Sequence, residues 1–260
     1  MRTYHPFHLV DVSPWPLTGS LGAFLILNGL TRWIHKKEIM LAQLGVIVVI
    51  FTMIQWWRDV RREAVFQGKH SLKVESGLRI GIALFIVREI FFFFAFFWAF
   101  FHSSLSPNVE VGATWPPVSL NAINPYEVPL LNTTVLLGRG ATITWAHIAL
   151  LNSKHKEASI RIIWTISLGA LFRYLQFMEY NFRPFTMSDS VYGSSFYIAT
   201  GFHGLHVLIG TIFIIITFLR HRWGHFTMLH HFGFEASAWY WHFVDVVWLL
   251  LFLSIYWWGY

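Results

Sequence analysis

The stretch SVYGSSFYIATGFHGLHVLIGTIFIIITFL, from Ser190 to Leu219, holds no lysine, arginine, aspartate or glutamate. A helix of about 20 apolar residues crosses the roughly 30 Å hydrocarbon core of a bilayer, and this run is longer. In water it would expose a large apolar patch. The chain around it repeats the pattern. Six further apolar segments run from Pro16 to Ile34, Met40 to Trp57, Leu78 to Phe101, Val128 to Leu151, Ala158 to Phe182 and Phe234 to Trp258. Local breakers agree with these cuts. Pro16 suits the first turn of a helix. Pro184 follows the fifth segment, and Ser188 or Asp189 stands where the sixth helix needs a cap. The longest loop, His102 to Glu127, contains Pro107, Pro116, Pro117 and Pro125. The expected fold class is all-α: a polytopic membrane protein of seven transmembrane helices, a single domain over residues 1–260.

Composition points the same way. Hydrophobic residues make up 55% of the 260 positions and charged residues 12%, against about 25% charged in a soluble domain. The 14 Trp, 9 Tyr and 26 Phe suit aromatic belts at the two membrane surfaces. There is no cysteine, which excludes a disulfide framework, thiolate metal sites and thiol catalysis. Residues 1–15 lack the apolar core and cleavage site of a secretory signal, and are poor in the arginines and serines of a transit peptide. The protein is expected to keep its N-terminus.

Lysines and arginines orient the helices, because they are retained on the cytoplasmic face or its organellar equivalent. With seven crossings, the N-terminal side holds Arg2, the group Arg58, Arg61, Arg62, Lys69, Lys73 and Arg79, then Lys154, Lys156 and Arg161, and finally Arg220 and Arg222. The opposite side holds only Arg32, Lys36, Lys37 and Arg183. The N-terminus is therefore expected on the positive-inside face and the C-terminus opposite. Anionic lipid headgroups are the natural partner of that basic face, and the net charge of +6 needs no nucleic acid to explain it.

Ionisable residues inside the apolar segments are costly, which makes them functional hypotheses by default. Glu89 lies near the middle of the third segment. Its neighbour Arg88 points about 100° away on a helix, so either the long arginine bends back or each group finds another partner. Arg139 and Arg173 complete the intramembrane cations, and Glu179 and Asp245 the carboxylates; equal numbers allow pairing without assigning it. His203 and His206 share a helix face at i,i+3, and His147 and His242 lie in other segments. Two such histidines on different helices would suit a haem, whereas the plainer reading has polar side chains bonding across helices. His206 would bond backbone or a carboxylate, and His242 and Asp245 would pair at i,i+3. Near the basic face, Glu63 and His70 sit among Arg58, Arg61 and Arg62. His221, Arg222, His225, His230 and His231 cluster between segments six and seven, with Trp56, Trp57, Trp223 and Trp239 flanking. Cations beside interfacial aromatics suit phospholipid headgroups; the plainer reading is a solvated loop. No glycine-rich phosphate loop, nucleophile elbow or HExxH motif is present.

Several long strings resemble one family. They are HLVDVSPWPLTG from His8 to Gly19, QWWRDV from Gln55 to Val60, FWAFFHSSL from Phe97 to Leu105, and PLLNT from Pro129 to Thr133. TGFHGLHV from Thr200 to Val207, HHFGFEA from His230 to Ala236, WYWHFVDVVW from Trp239 to Trp248, and YWWG from Tyr256 to Gly259 complete the set. In order and over essentially the whole chain, these resemble subunit III of cytochrome c oxidase in its short mitochondrial form. The resemblance implies a bundle of two plus five helices separated by a V-shaped, lipid-binding cleft. It implies an inner mitochondrial membrane setting with the N-terminus in the matrix and the C-terminus in the intermembrane space. It also implies a non-catalytic subunit that buttresses subunit I, holds structural phospholipids and supports proton uptake. Haem and copper would lie in partner subunits I and II, with accessory subunits alongside and no metal or cofactor in this chain. Glu89 matches the family's buried carboxylate, and Trp57, Glu63, His70 and Arg220 match its lipid-headgroup positions. The chain departs from the family at Arg88, Arg139 and Arg173, where small or uncharged residues are usual. Two readings compete there: partnered intramembrane arginines, or AGA and AGG codons, which some animal mitochondria read as serine. The rival functional class is an independent transporter or channel, whose intramembrane charges would line a continuous polar route with broken helices.

Overall fold

A computed structural model describes residues 5–109, 112–118 and 120–260; Arg2 of the charge count lies outside them. Among the described residues the chain forms seven α-helices and no strand. They are α1 (Trp15–Lys36), α2 (Met40–Val65), α3 (Leu72–Leu105), α4 (Val128–Leu151), α5 (His155–Asn181), α6 (Val191–Arg222) and α7 (Phe232–Leu251). Six of them, α2 to α7, are long and apolar enough to cross a membrane. α1 has the length, but Thr18, Ser20, Asn28, Thr31 and Arg32 dilute its leucines.

The helices outrun the apolar segments at several ends. α2 continues to Val65 through Arg58, Arg61 and Arg62, and α3 begins at Leu72. Hydropathy marks the depth of hydrocarbon, whereas backbone hydrogen bonding carries on into the polar interface. Caps locate other ends. Pro16 sits in the first turn of α1, and Lys37 closes that helix in the left-handed region with its N–H on the Trp33 carbonyl. Ser190 caps α6, its Oγ accepting from the N–H groups of Tyr192 and Gly193. This corrects the expected cap at Ser188 or Asp189. Asp189 instead accepts from the Thr186 N–H, and Ser188 bonds the Thr186 hydroxyl. The seventh apolar segment is α-helical only to Leu251 and continues as a π-helix over Phe252–Trp258. Near that junction the Ser254 hydroxyl donates to the Leu250 carbonyl at 2.6 Å.

The chain divides into two compact units, the first ending at Leu78 and the second running from Arg79 to Tyr260. In the first, α1 and α2 pack backbone to backbone. A Cβ on Gly29 would overlap the Ala42 main chain, and one on Gly45 would lie 2.6 Å from Ile26 N. Small residues permit this approach, the usual route to close packing where lipid removes the hydrophobic drive between helices. Trp15 Nε1 donates to Asp59 Oδ2 at 2.8 Å, fastening the start of α1 to the end of α2.

In the second unit α4 packs on α5, α5 on α6, α6 on α7 and α7 on α4. α7 is the innermost, with most of its residues buried, whereas α3 is mostly exposed. Trp241 of α7 is fully buried and slots against Gly169 of α5 and Gly210 of α6, where any Cβ would crowd its ring. α3 contributes one stripe, with Glu89, Phe93 and Phe100 buried and the intervening residues mostly exposed. Phe92 meets Phe202 edge on, and Phe93 meets Phe243 at a tilt.

Candidate functional site

The buried stripe of α3 carries Glu89 to α6. Glu89 Oε2 lies 3.0 Å from His206 Nε2, and His206 Nδ1 lies 2.7 Å from the Phe202 carbonyl. A carbonyl only accepts, so Nδ1 carries hydrogen. One proton must then sit between His206 Nε2 and Glu89 Oε2, since two lone pairs would otherwise face each other. Arg88 bends back along its own helix, with Nε 3.1 Å from Glu89 Oε1. Its side chain is 69% exposed while that of Glu89 is 12%. The carboxylate is thus shared between a buried imidazole and a guanidinium at the edge of the unit.

A second pair lies deeper. Arg139 of α4 is completely buried, and its Nε is 3.1 Å and its Nη2 2.9 Å from Asp245 Oδ1 of α7. Its guanidinium is stacked 4.5 Å from the Trp241 ring and 4.7 Å from Phe172. Two aromatic faces and one carboxylate replace the water a cation of this kind would hold. The expected pairing of His242 with Asp245 does not form; His242 Nε2 is 3.3 Å from Thr144 Oγ1.

Glu179 pairs with Arg183, one helical turn further on, and Arg183 also donates to the Tyr256 hydroxyl at 3.3 Å. Phe196 lies 3.9 Å from that guanidinium and Tyr180 4.4 Å. Hydropathy alone puts Arg183 in a loop, although Glu179 and Arg183 are spaced i,i+4, the spacing that joins side chains on a helix. Arg173 is half-buried with no ion pair among the described residues, its Nη1 lying against Gly204. His203 Nε2 bonds the Val244 carbonyl at 3.2 Å, and its ring packs on Phe172 and Trp248. His203 and His206, which share a face of α6, are therefore both hydrogen-bonded to other helices.

In the first unit, Glu63 pairs with His8 at 3.1 Å, and the His70 ring lies 5.4 Å from the same His8 ring at a 60° tilt. Asp59, Arg62, Glu63, Phe66 and Gln67 line an open pocket of about 610 Å³. Nearby, Lys69 hydrogen-bonds Asp11 and so holds its carboxyl below the usual range. Trp57 is exposed at the same end of α2. His8 has no local signature in the sequence, because nothing near it marks a residue that returns over α2. In the second unit, Arg220 lies 4.6 Å over the Phe226 ring and against Gly233.

The family model for cytochrome c oxidase subunit III matches residues 5–260. Cytochrome c oxidase subunit 3 of Anopheles quadrimaculatus is 62% identical over 255 residues, covering 98% of this chain and 97% of that one. The protein of the same name from Drosophila yakuba is 57% identical over 98% and 97% of the two chains. That from Heterololigo bleekeri is 56% identical over 98% of each. The match takes in α1 and α2 as well as every helix bearing a paired charge, and with its apolar helices it makes this a multi-pass membrane protein. The chain belongs to the cytochrome c oxidase subunit III family.

Proposed function

We propose that this chain, as a core subunit of cytochrome c oxidase, does no redox chemistry itself and works by holding phospholipid and bracing the subunits that carry haem and copper. The observation that supports this reading is that the carboxylates inside its apolar segments are each engaged by a cation or an imidazole. Glu89 is engaged by Arg88 and His206, Asp245 by Arg139, Glu179 by Arg183, and His203 by a backbone carbonyl. A transporter needs polar groups left open along a route, with helices broken at the binding site. Here the pairs are separate and lie among aromatic rings.

The proposed setting is the mitochondrial inner membrane, with all seven helices crossing it, the N-terminus in the matrix and the C-terminus in the intermembrane space. Subunits I and II and accessory subunits are the protein partners, and no nucleic acid is involved. Trp57, Glu63 and His70 in the first unit and Arg220 in the second meet phospholipid headgroups. Interfacial tryptophan and basic side chains suit that contact. The test is Arg220→Ala in the oxidase complex, with bound phospholipid counted by mass spectrometry. Loss of lipid with the haem spectrum intact is expected; unchanged lipid overturns the assignment. The purified chain should also lack a Soret band, and a stoichiometric one would sink the non-redox reading.

A further inference from the structure

Three ligand-bearing side chains meet where α4 ends and α7 begins, away from the charge pairs above. They are His147 on α4, His231 at the N-cap of α7 and Glu235 in its first turn. One nitrogen or oxygen from each lies within 4.8 Å of the others.

The contacts around them aim two ring nitrogens and one carboxylate oxygen at a common point. His231 Nδ1 lies 3.1 Å from the Thr227 carbonyl, so that nitrogen carries the hydrogen, and a single proton shared between Nε2 and Glu235 is what a cation would displace. Nε2 faces Glu235 Oε1 at 3.3 Å. Glu235 Oε2 accepts from Arg79 Nε at 2.9 Å, which fixes the carboxylate and turns Oε1 toward the histidines. His147 Nε2 is buried with no hydrogen-bond partner, and its ring stacks on Phe234 and lies 5.3 Å from His231. An imidazole whose far nitrogen donates to a carbonyl, beside a carboxylate oriented by its own partner, is the outer-shell arrangement of metal ligands.

We propose that His147, His231 and Glu235 form an exchangeable binding site for a zinc-class divalent cation, clamping the end of α4 to the start of α7. Two imidazole nitrogens and one carboxylate oxygen are a zinc donor set that leaves a fourth position for water. Bonds of about 2.0–2.1 Å in a tetrahedron put ligand atoms roughly 3.4 Å apart. Closing the present triangle therefore takes side-chain movements of about 1 Å. The Arg79 guanidinium opposes added positive charge, which makes the ion exchangeable rather than resident.

The test uses the full chain in lipid nanodiscs, titrated with Zn²⁺ against a chelating indicator, with zinc K-edge fine structure on the bound form. One zinc per chain is expected, on two imidazoles and a carboxylate. His147→Ala and Glu235→Gln should each weaken binding more than about tenfold, whereas His102→Ala, at the other end of α3, should not. Variants that bind as tightly as the wild type overturn the proposal. So does a wild-type spectrum with fewer than two imidazoles, and that measurement decides the matter even if the variants fail to fold.

Discussion

At Arg139 a guanidinium with no solvent exposure rests on a single carboxylate and two aromatic faces. Removing one partner of a buried pair leaves the other charge alone, at a cost of about 3–5 kcal/mol. Asp245→Asn should therefore lower the thermal stability of the subunit in the complex by that order. Replacing Arg139 and Asp245 together by leucine should cost less than the single change, and a thermal melt of both variants checks the order. Glu89→Gln is milder, because the exposed Arg88 can turn to another partner. About 1–2 kcal/mol is expected for the lost charged hydrogen bonds. The oxidase should still assemble with a normal haem spectrum, and full loss of activity in an assembled complex contradicts the proposed role. The pairs at 88 and 139 exist only if those letters are arginine, and Arg173, without an ion pair among the described residues, lies against Gly204. Trypsin should release a peptide ending at Arg88. An unbroken peptide through 88 with the mass of serine removes the arginine reading.

At the scale of elements, the α1–α2 hairpin rests on glycines rather than on apolar bulk. Gly29→Val would drive two methyl groups into the Ala42 backbone. Overpacking of this kind costs about 1–3 kcal/mol, and the helices would have to separate to relieve it. Limited proteolysis in the turn at Lys37 should become faster than in the wild type; an unchanged rate would mean that the contact is not tight. Hydropathy located every helix but not every end. α2 and α6 run past their apolar stretches into arginines because backbone bonding persists after the hydrocarbon stops. The π-helical turn at Phe252–Trp258 had no signature in the residue pattern.

For the whole molecule, the bias of lysine and arginine predicts which loops face which compartment. In mitoplasts, added protease should cut at Lys36 and Lys37 while Lys154 and Lys156 stay protected until the membrane is opened. Cleavage at Lys154 in sealed mitoplasts would reverse the orientation. The apolar segments, the charge bias and the family were all legible in the sequence, since each is a property of residue order alone. The Glu179–Arg183 pair carries a local signal, the i,i+4 spacing, but the hydropathy cut after Phe182 hides it. The partners of Asp245, Glu63 and His206 were not legible: Arg139 is 106 positions from Asp245, and Glu89 is 117 from His206. Helical periodicity says which residues share a face of one helix, but not which face of another helix they meet. That choice depends on the rotation and height at which the helices pack. Here those are set by contacts such as Trp241 against Gly169 and Gly210, which exist only once the chain is folded.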